Sequence, residues 1–381
     1  MNTSTFSLTV LAVAAALGSH ANNIQVANTT LVDNLPMAGT TKIQFDLSWE
    51  NSWRGMNINN WDAAWVFVKY RTPAGLWYHV RLESTGHMPA SGSHIDPGLL
   101  TPGSAYNATS NPVLGVFVYR AQDGTGTFTA NATQLSWNYG AAGINYIDIS
   151  EVQVFAIEMV YVPQGTFAAG ALPSGLNQNF TLTTINTANA TTAPSGSGSL
   201  GGLAGGYPTG ENAPTTANWP NGYGAFYCMK YELSQQGYVD FLNTLTYAQQ
   251  VSRTANPPLN AVAGTGALIT GNLNRNGIDI SVPALTGPIP ATYACNLNGN
   301  SVYGEVDDGK DVACNYLTWG DHGAYLDWSG LRPMTELEHE KACRGSAAPI
   351  TGEFPWGIRL VRSTGRCGRG SSLHIPRTRG V

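Results

Sequence analysis

Two kinds of hydrophobic patterning divide the chain. From residue 25 to about 157, apolar residues alternate with polar ones or gather in short β-branched and aromatic runs punctuated by Gly, Pro, Asn and Asp. Segments 42–49, 64–70, 76–82, 113–120 and 152–157 are the predicted strands. The run Ala64-Trp65-Val66-Phe67-Val68-Lys69-Tyr70 suits a core strand. No helical stripe of useful length interrupts them, so residues 22–157 read as an all-β, β-sandwich-like domain. Its tryptophans, Trp49, Trp53, Trp61, Trp65, Trp77 and Trp137, suit core packing and strand ends, and a carbohydrate platform is the alternative use.

Beyond residue 225 the period changes. Tyr238, Phe241, Leu242 and Leu245 fall at i, i+3, i+4 and i+7, the spacing of one helix face. Thr335 with Glu338 forms a capping box, and Gly345 stands as its C-terminal stop. Thr318 and Asp321 occupy capping positions for a further helix over 318–328. Residues 159–210 carry no Asp, Glu, Lys or Arg, and the Gly, Ser, Thr and Ala bias around them predicts a low-complexity loop over about 171–222. The stretch 248–310 is rich in Asn, Gly and Pro and reads as an insertion. An α+β domain over 158–357 emerges from this pattern.

Composition adds three constraints. Charged residues are only 11% of the chain, so its surface is solvated by amides and hydroxyls. Residues 1–357 hold 13 Lys and Arg against 24 acids, a net of −11, while 358–381 hold six Arg and no acid. The total of −5 argues against nucleic acid as a partner. Residues 1–21, with an apolar stretch from Phe6 to Leu17 and small residues at 19 and 21, read as a signal peptide. The expected location is therefore secreted, cell-surface or periplasmic, with no membrane span after cleavage. Five cysteines fit an oxidising compartment.

Five blocks in the second domain resemble the formylglycine-generating enzyme, or sulfatase-modifying factor, family. They are Met159-Val160-Tyr161-Val162-Pro163, Phe226-Tyr227-Cys228-Met229-Lys230-Tyr231-Glu232, the set Trp319, Asp321, Ala324, Tyr325 and Trp328, the run from Gly330 through Arg332, Thr335, Glu338 and Lys341 to Gly345, and Phe354-Pro355-Trp356-Gly357. The resemblance implies a C-type-lectin-like α+β fold. It also implies an oxidoreductase whose cysteine pair, in the last third of the domain, binds copper and converts a cysteine of a client sulfatase to formylglycine. The family pattern stops at Gly357. Between there and Val381, Cys367 is the lone cysteine, and residue 372 is Ser. The domain is thus expected to be incomplete at its C-terminus and non-catalytic as written, with copper relevant only if a missing part exists. Surface binding of glycan or cell-envelope components, or envelope structure, is the expected role, with the oxidoreductase as the alternative.

Other constellations carry candidate chemistry. Asn272, Asn274 and Asn276, with Gly277 sixth in the loop, resemble a calcium loop, but Pro283 stands where the bidentate Glu belongs. Asp307, Asp308 and Asp311 supply charge without that spacing. Calcium is the one cofactor these residues suggest. Cys295 with Cys314 and Cys228 with Cys343 are candidate disulfides among the possible pairings. His79, His87 and His94 read as loop and strand-edge residues. Glu336, Glu338 and Glu340 read as an ion-pair network with Lys341 and Arg344.

Overall fold

The computed structural model describes residues 23–55, 57, 59–99, 105–170, 182–186, 222–269, 273–285 and 289–350, with the backbone alone at 353–354 and 357–358. The expected signal segment 1–21, most of the loop 171–222, Asn272, Cys367 and nearly all of the tail lie outside the described residues.

The first half is a framework of antiparallel strands: β1 (Gln25–Leu35), β2 (Thr40–Gly55), β3 (Asn60–Arg71), β4 (Trp77–His79), β5 (Ser93–Leu99), β6 (Val113–Arg120), β7 (Gly124–Asn138) and β8 (Glu151–Val162). β2 lies between β1 and β7. β3 has β8 along one edge and β4 and β6 along the other, with β5 beyond β6. Alternation along each strand decides what is buried. Ile43, Phe45, Leu47 and Trp49 of β2 and Phe128, Ala130, Leu135 and Trp137 of β7 face Ala64, Val66, Val68 and Tyr70 of β3 and Val116 and Val118 of β6. Two strand layers therefore enclose one apolar core. Trp49 and Trp137 are fully buried in it and Trp65 lies just outside it, so these three tryptophans pack rather than form a platform.

β3 differs from β2 in being buried on both faces from Asp62 to Tyr70. Its odd-numbered residues, Trp65 and Phe67, join Phe155 and Met159 of β8 in a second cluster that is closed by Trp328 and Leu331 from the other half of the chain. β8 runs unbroken through position 157 and pairs at its end with β11. One sheet thus passes from the first half into the second.

The second half contains β9 (Phe167–Ala169), β10 (Thr183–Ile185), β11 (Phe226–Met229), β12 (Thr265–Gly266), β13 (Ile278–Val282), β14 (Thr292–Cys295), β15 (Glu353–Phe354) and β16 (Gly357–Ile358). Its helices are α1 (Gln235–Asn243), α2 (Tyr247–Val251), α3 (Trp319–Ser329) and α4 (Glu336–Arg344). Ser234, Thr246, Thr318 and Thr335 cap the four helices, each hydroxyl accepting a backbone N–H three residues on. The 248–310 segment contributes to the core: Ala267, Leu268, Ile278, Ile280, Tyr293 and Cys295 pack with Tyr238, Phe241 and Leu242 of α1 and Tyr325 of α3. Short strands suffice because apolar residues recur along the segment between its turns.

Two expectations change in detail. The predicted strand over 76–82 is regular only at Trp77–His79, after which Val80 still pairs with Val68 and Leu82 crosses to Val113. β1, β5 and β7 are additional strands. Among the described residues no helix is long and apolar enough to cross a membrane.

Candidate functional site

Two polar constellations stand out, one at the junction of the halves and one in the loop after β14. At the junction, Asp62 of β3 and Glu158 of β8 are both buried. Lys230, immediately after β11, reaches between them and donates to Asp62 Oδ2 at 3.0 Å and Glu158 Oε2 at 2.9 Å. Asp62 also accepts from Trp49 Nε1 at 2.9 Å, Ser52 Oγ at 2.8 Å and the Trp53 amide at 3.0 Å. Trp53 and Tyr231 cover the ammonium with their rings, 5.0 and 5.3 Å away. One cation serves two buried acids, and Glu158 Oε1 has no donor. Burial raises the Glu158 carboxyl to about 7 against the pull of Lys230, while the two carboxylates, outweighing its burial, hold Lys230 protonated.

The same junction seats the C-terminal end of α3. Trp65 Nε1 donates to Ser329 O at 2.8 Å, and Lys69 Nζ donates to Trp328 O. A cation there complements the carbonyl end of the helix. Lys69 is buried against Phe67 and Trp328, and burial lowers it to about 8. His79 Nδ1 lies 3.0 Å from Lys69 Nζ and its Nε2 meets Leu114 O, the pattern of a neutral ring. Burial, followed by the Lys69 charge, lowers His79 to about 4. His87 accepts from the Ser136 amide and His94 packs against Tyr119, so the three histidines serve three different places.

The second constellation gathers some of the expected calcium residues. One carboxylate oxygen from each of Glu305, Asp307 and Asp308 lies within 4.8 Å of the others. Asp311 stands outside this group. Asn274 and Asn276 turn elsewhere: the Asn276 amide donates to Asn315 Oδ1 at 3.1 Å, the Asn274 amide to the Tyr316 hydroxyl, and Asn315 returns a bond to Asn274 O at 2.8 Å. Those amides tie one loop to another.

The four described cysteines carry free thiols. In each expected pair the partners are near enough for one to raise the other: Cys343 acts on Cys228, and Cys314 on Cys295. Burial is the larger cause throughout, pushing Cys228 up to about 11 and Cys314 up to about 12 and raising Cys295 and Cys343. A copper pair needs thiolates at a common ion. The described cysteines do not fit one: Cys343 Sγ rests 3.6 Å from His339 Nε2 on its own helix, and Cys295 Sγ contacts Gln236.

The acidic helix α4 is a structural network. Glu338 closes the cap on Thr335 and takes a bidentate bond from Arg332, at 2.8 and 2.6 Å. Glu340 pairs with Arg344 at 3.5 Å, and Lys341 donates to Tyr223 O and Gly224 O.

The architecture is β-rich, with a few short, capped helices, of which α3 packs on the face of β3 and β8 that carries Trp65, Phe67 and Phe155. Part of the chain is similar to the bovine (Bos taurus) formylglycine-generating enzyme, with 27% identity over 139 residues, 36% of this chain. That stretch spans 34% of the bovine protein, about a third of its length. The similarity supports a distant sulfatase-modifying-factor-like relationship. No family model matches the chain, and no solved structure does.

Proposed function

We propose that this is an exported protein whose second half, a C-type-lectin-like domain of sulfatase-modifying-factor type, is a non-catalytic module for surface binding or envelope structure. The carrying observation is the state of the thiols. Burial is the largest influence on each described thiol and favours its protonated form, while Cys295 Sγ rests on Gln236, Cys314 Sγ on Asn315 O and Cys343 Sγ on His339. An oxidase of this type needs the opposite, thiolates that hold a soft metal beside the substrate sulfur. The junction supports a scaffolding role, because Lys230 and α3 seat the second half on the first through buried contacts. A chain with only 11% charged residues suits neutral, hydroxyl-rich ligands such as glycans. Fold alone does not assign such a ligand.

The similarity to the bovine enzyme favours a second reading, a formylglycine-generating oxidoreductase acting on a client sulfatase. One assay separates the two. The purified chain is incubated with copper, oxygen and a cysteine-containing peptide from a sulfatase, and aldehyde is captured with a hydrazide probe. The expected result is no aldehyde above the protein-free blank, together with retention of the chain on envelope polysaccharide. Aldehyde formation at the peptide cysteine overturns the non-catalytic reading.

A further inference from the structure

We propose that Glu305, Asp307 and Asp308, in the loop that succeeds β14, form a calcium site. Three carboxylates are held together within 4.8 Å. No Lys or Arg among the described residues forms an ion pair with any of them. Like charges gathered this closely repel unless something positive joins them.

An independent observation points to that missing partner. Asp308 is only 2% exposed, and although its Oδ2 accepts the Glu305 amide at 2.7 Å, its Oδ1 is buried with no donor. A buried carboxylate oxygen left unmatched is costly in a folded protein. A cation satisfies that oxygen and neutralises the cluster together.

The loop is built to hold these groups in place. The Asn298 side chain donates to Glu305 Oε2 at 3.1 Å and Asp307 Oδ1 at 3.0 Å, and Asn300 donates to Glu305 as well. The carbonyls of those amides accept the Asn300 and Val302 N–H groups, which folds the loop around the acids. Gly309, at φ +73°, closes it in a left-handed turn, with Leu297 against the space a Cβ would occupy. The donors are all oxygen, the ligand type of a hard cation. Two oxygens on one calcium ion lie no further apart than about 5 Å, twice the metal–oxygen distance, and the observed spread falls inside that limit. Glu305 and Asp307 are exposed, leaving an open side for water ligands and for entry of the ion. The assignment excludes Asp311 and the 272–279 loop.

The test uses the full chain and two readouts. Terbium(III) is titrated with excitation of tyrosine, Tyr303 lying in the same loop, and thermal melting is followed in calcium, magnesium or chelator. Sensitised terbium emission that calcium displaces is expected, with a melting midpoint that calcium raises and chelator lowers. Glu305→Gln and Asp307→Asn, both at exposed positions, are expected to weaken terbium binding by about tenfold or more each, through loss of a charged ligand. Asp311→Asn is expected to leave it unchanged, and Tyr303→Phe to reduce emission without moving the calcium-dependent midpoint. Absence of both emission and a calcium-dependent shift overturns the site. So does emission that persists at wild-type affinity when Glu305 and Asp307 are replaced together.

Discussion

Between Gln25 and Val162 most residues lie in strands, whereas between Phe226 and Ile358 four helices and several short strands are joined by long loops. The first region closes its core by layering. β2 hides one face and leaves the other part-exposed, so its buried residues come from alternate positions. The second region has no comparable layer of its own. Its core residues come from α1, α3, β13–β14 and the loops around them, and a separate cluster is completed by the first region's β3 and β8. A strand framework that is nearly self-sufficient thus lends one face to a half that lacks a continuous sheet. The double-sided burial of β3 is the physical record of that loan, and the Asp62–Glu158–Lys230 network is its polar counterpart.

Breaking the network gives the largest expected effect. Lys230→Met leaves two buried acids without their cation, and loss of one partner of a buried ion pair costs about 3–5 kcal/mol. Denaturant melts of wild type and variant measure it. Rescue by Asp62→Asn in the Lys230→Met background separates charge from packing.

The titration of Glu158 sharpens the comparison. Its folded value of about 7 lies above the ordinary 4.5, so the folded state holds a proton that the unfolded state has released. Stability from this group is fully present below about pH 4.5 and is lost as pH rises toward 7. At about 1.4 kcal/mol per unit, the fall is on the order of 3 kcal/mol. Glu158→Gln is expected to flatten that part of a stability–pH curve measured by urea unfolding. An unchanged slope contradicts the assignment.

A smaller effect tests the seat of α3. A Cβ on Gly115 would stand 2.6 Å from Val66 O and 2.7 Å from the Trp65 ring. Gly115→Ala therefore pushes on the indole that holds Ser329, with a cost of about 1–3 kcal/mol. Trp65 fluorescence and a thermal melt report it together.

Much of this was legible in the sequence, for reasons particular residues make clear. β2, β3, β6 and β8 are apolar runs or clean alternations, and three helices announce themselves through apolar spacing or Thr-x-x-acid caps. β7 is less visible because its alternation changes phase. Phe128 and Ala130 point inward, then Thr133, Leu135 and Trp137 do, across a register shift at Ala132, whose φ is +56° and whose amide binds Asp46. A single-period template fails across such a bulge.

The sites divide in the same way. Asp307 and Asp308 are adjacent and were legible as acids, but Glu305 joins them only because the loop folds back on Asn298 and Asn300. Lys230 sits in a recognisable motif, yet its partners Glu158 and Asp62 lie 72 and 168 residues away. No local pattern reports a contact at that separation.

The most direct test of the shared face is differential scanning calorimetry of the full chain, beside the Lys230→Met variant. If the second half depends on β3 and β8, one transition is expected, with van't Hoff and calorimetric enthalpies in agreement, and the variant should move it as a unit. Two resolved transitions in the wild type, only one of them displaced by Lys230→Met, would contradict the account.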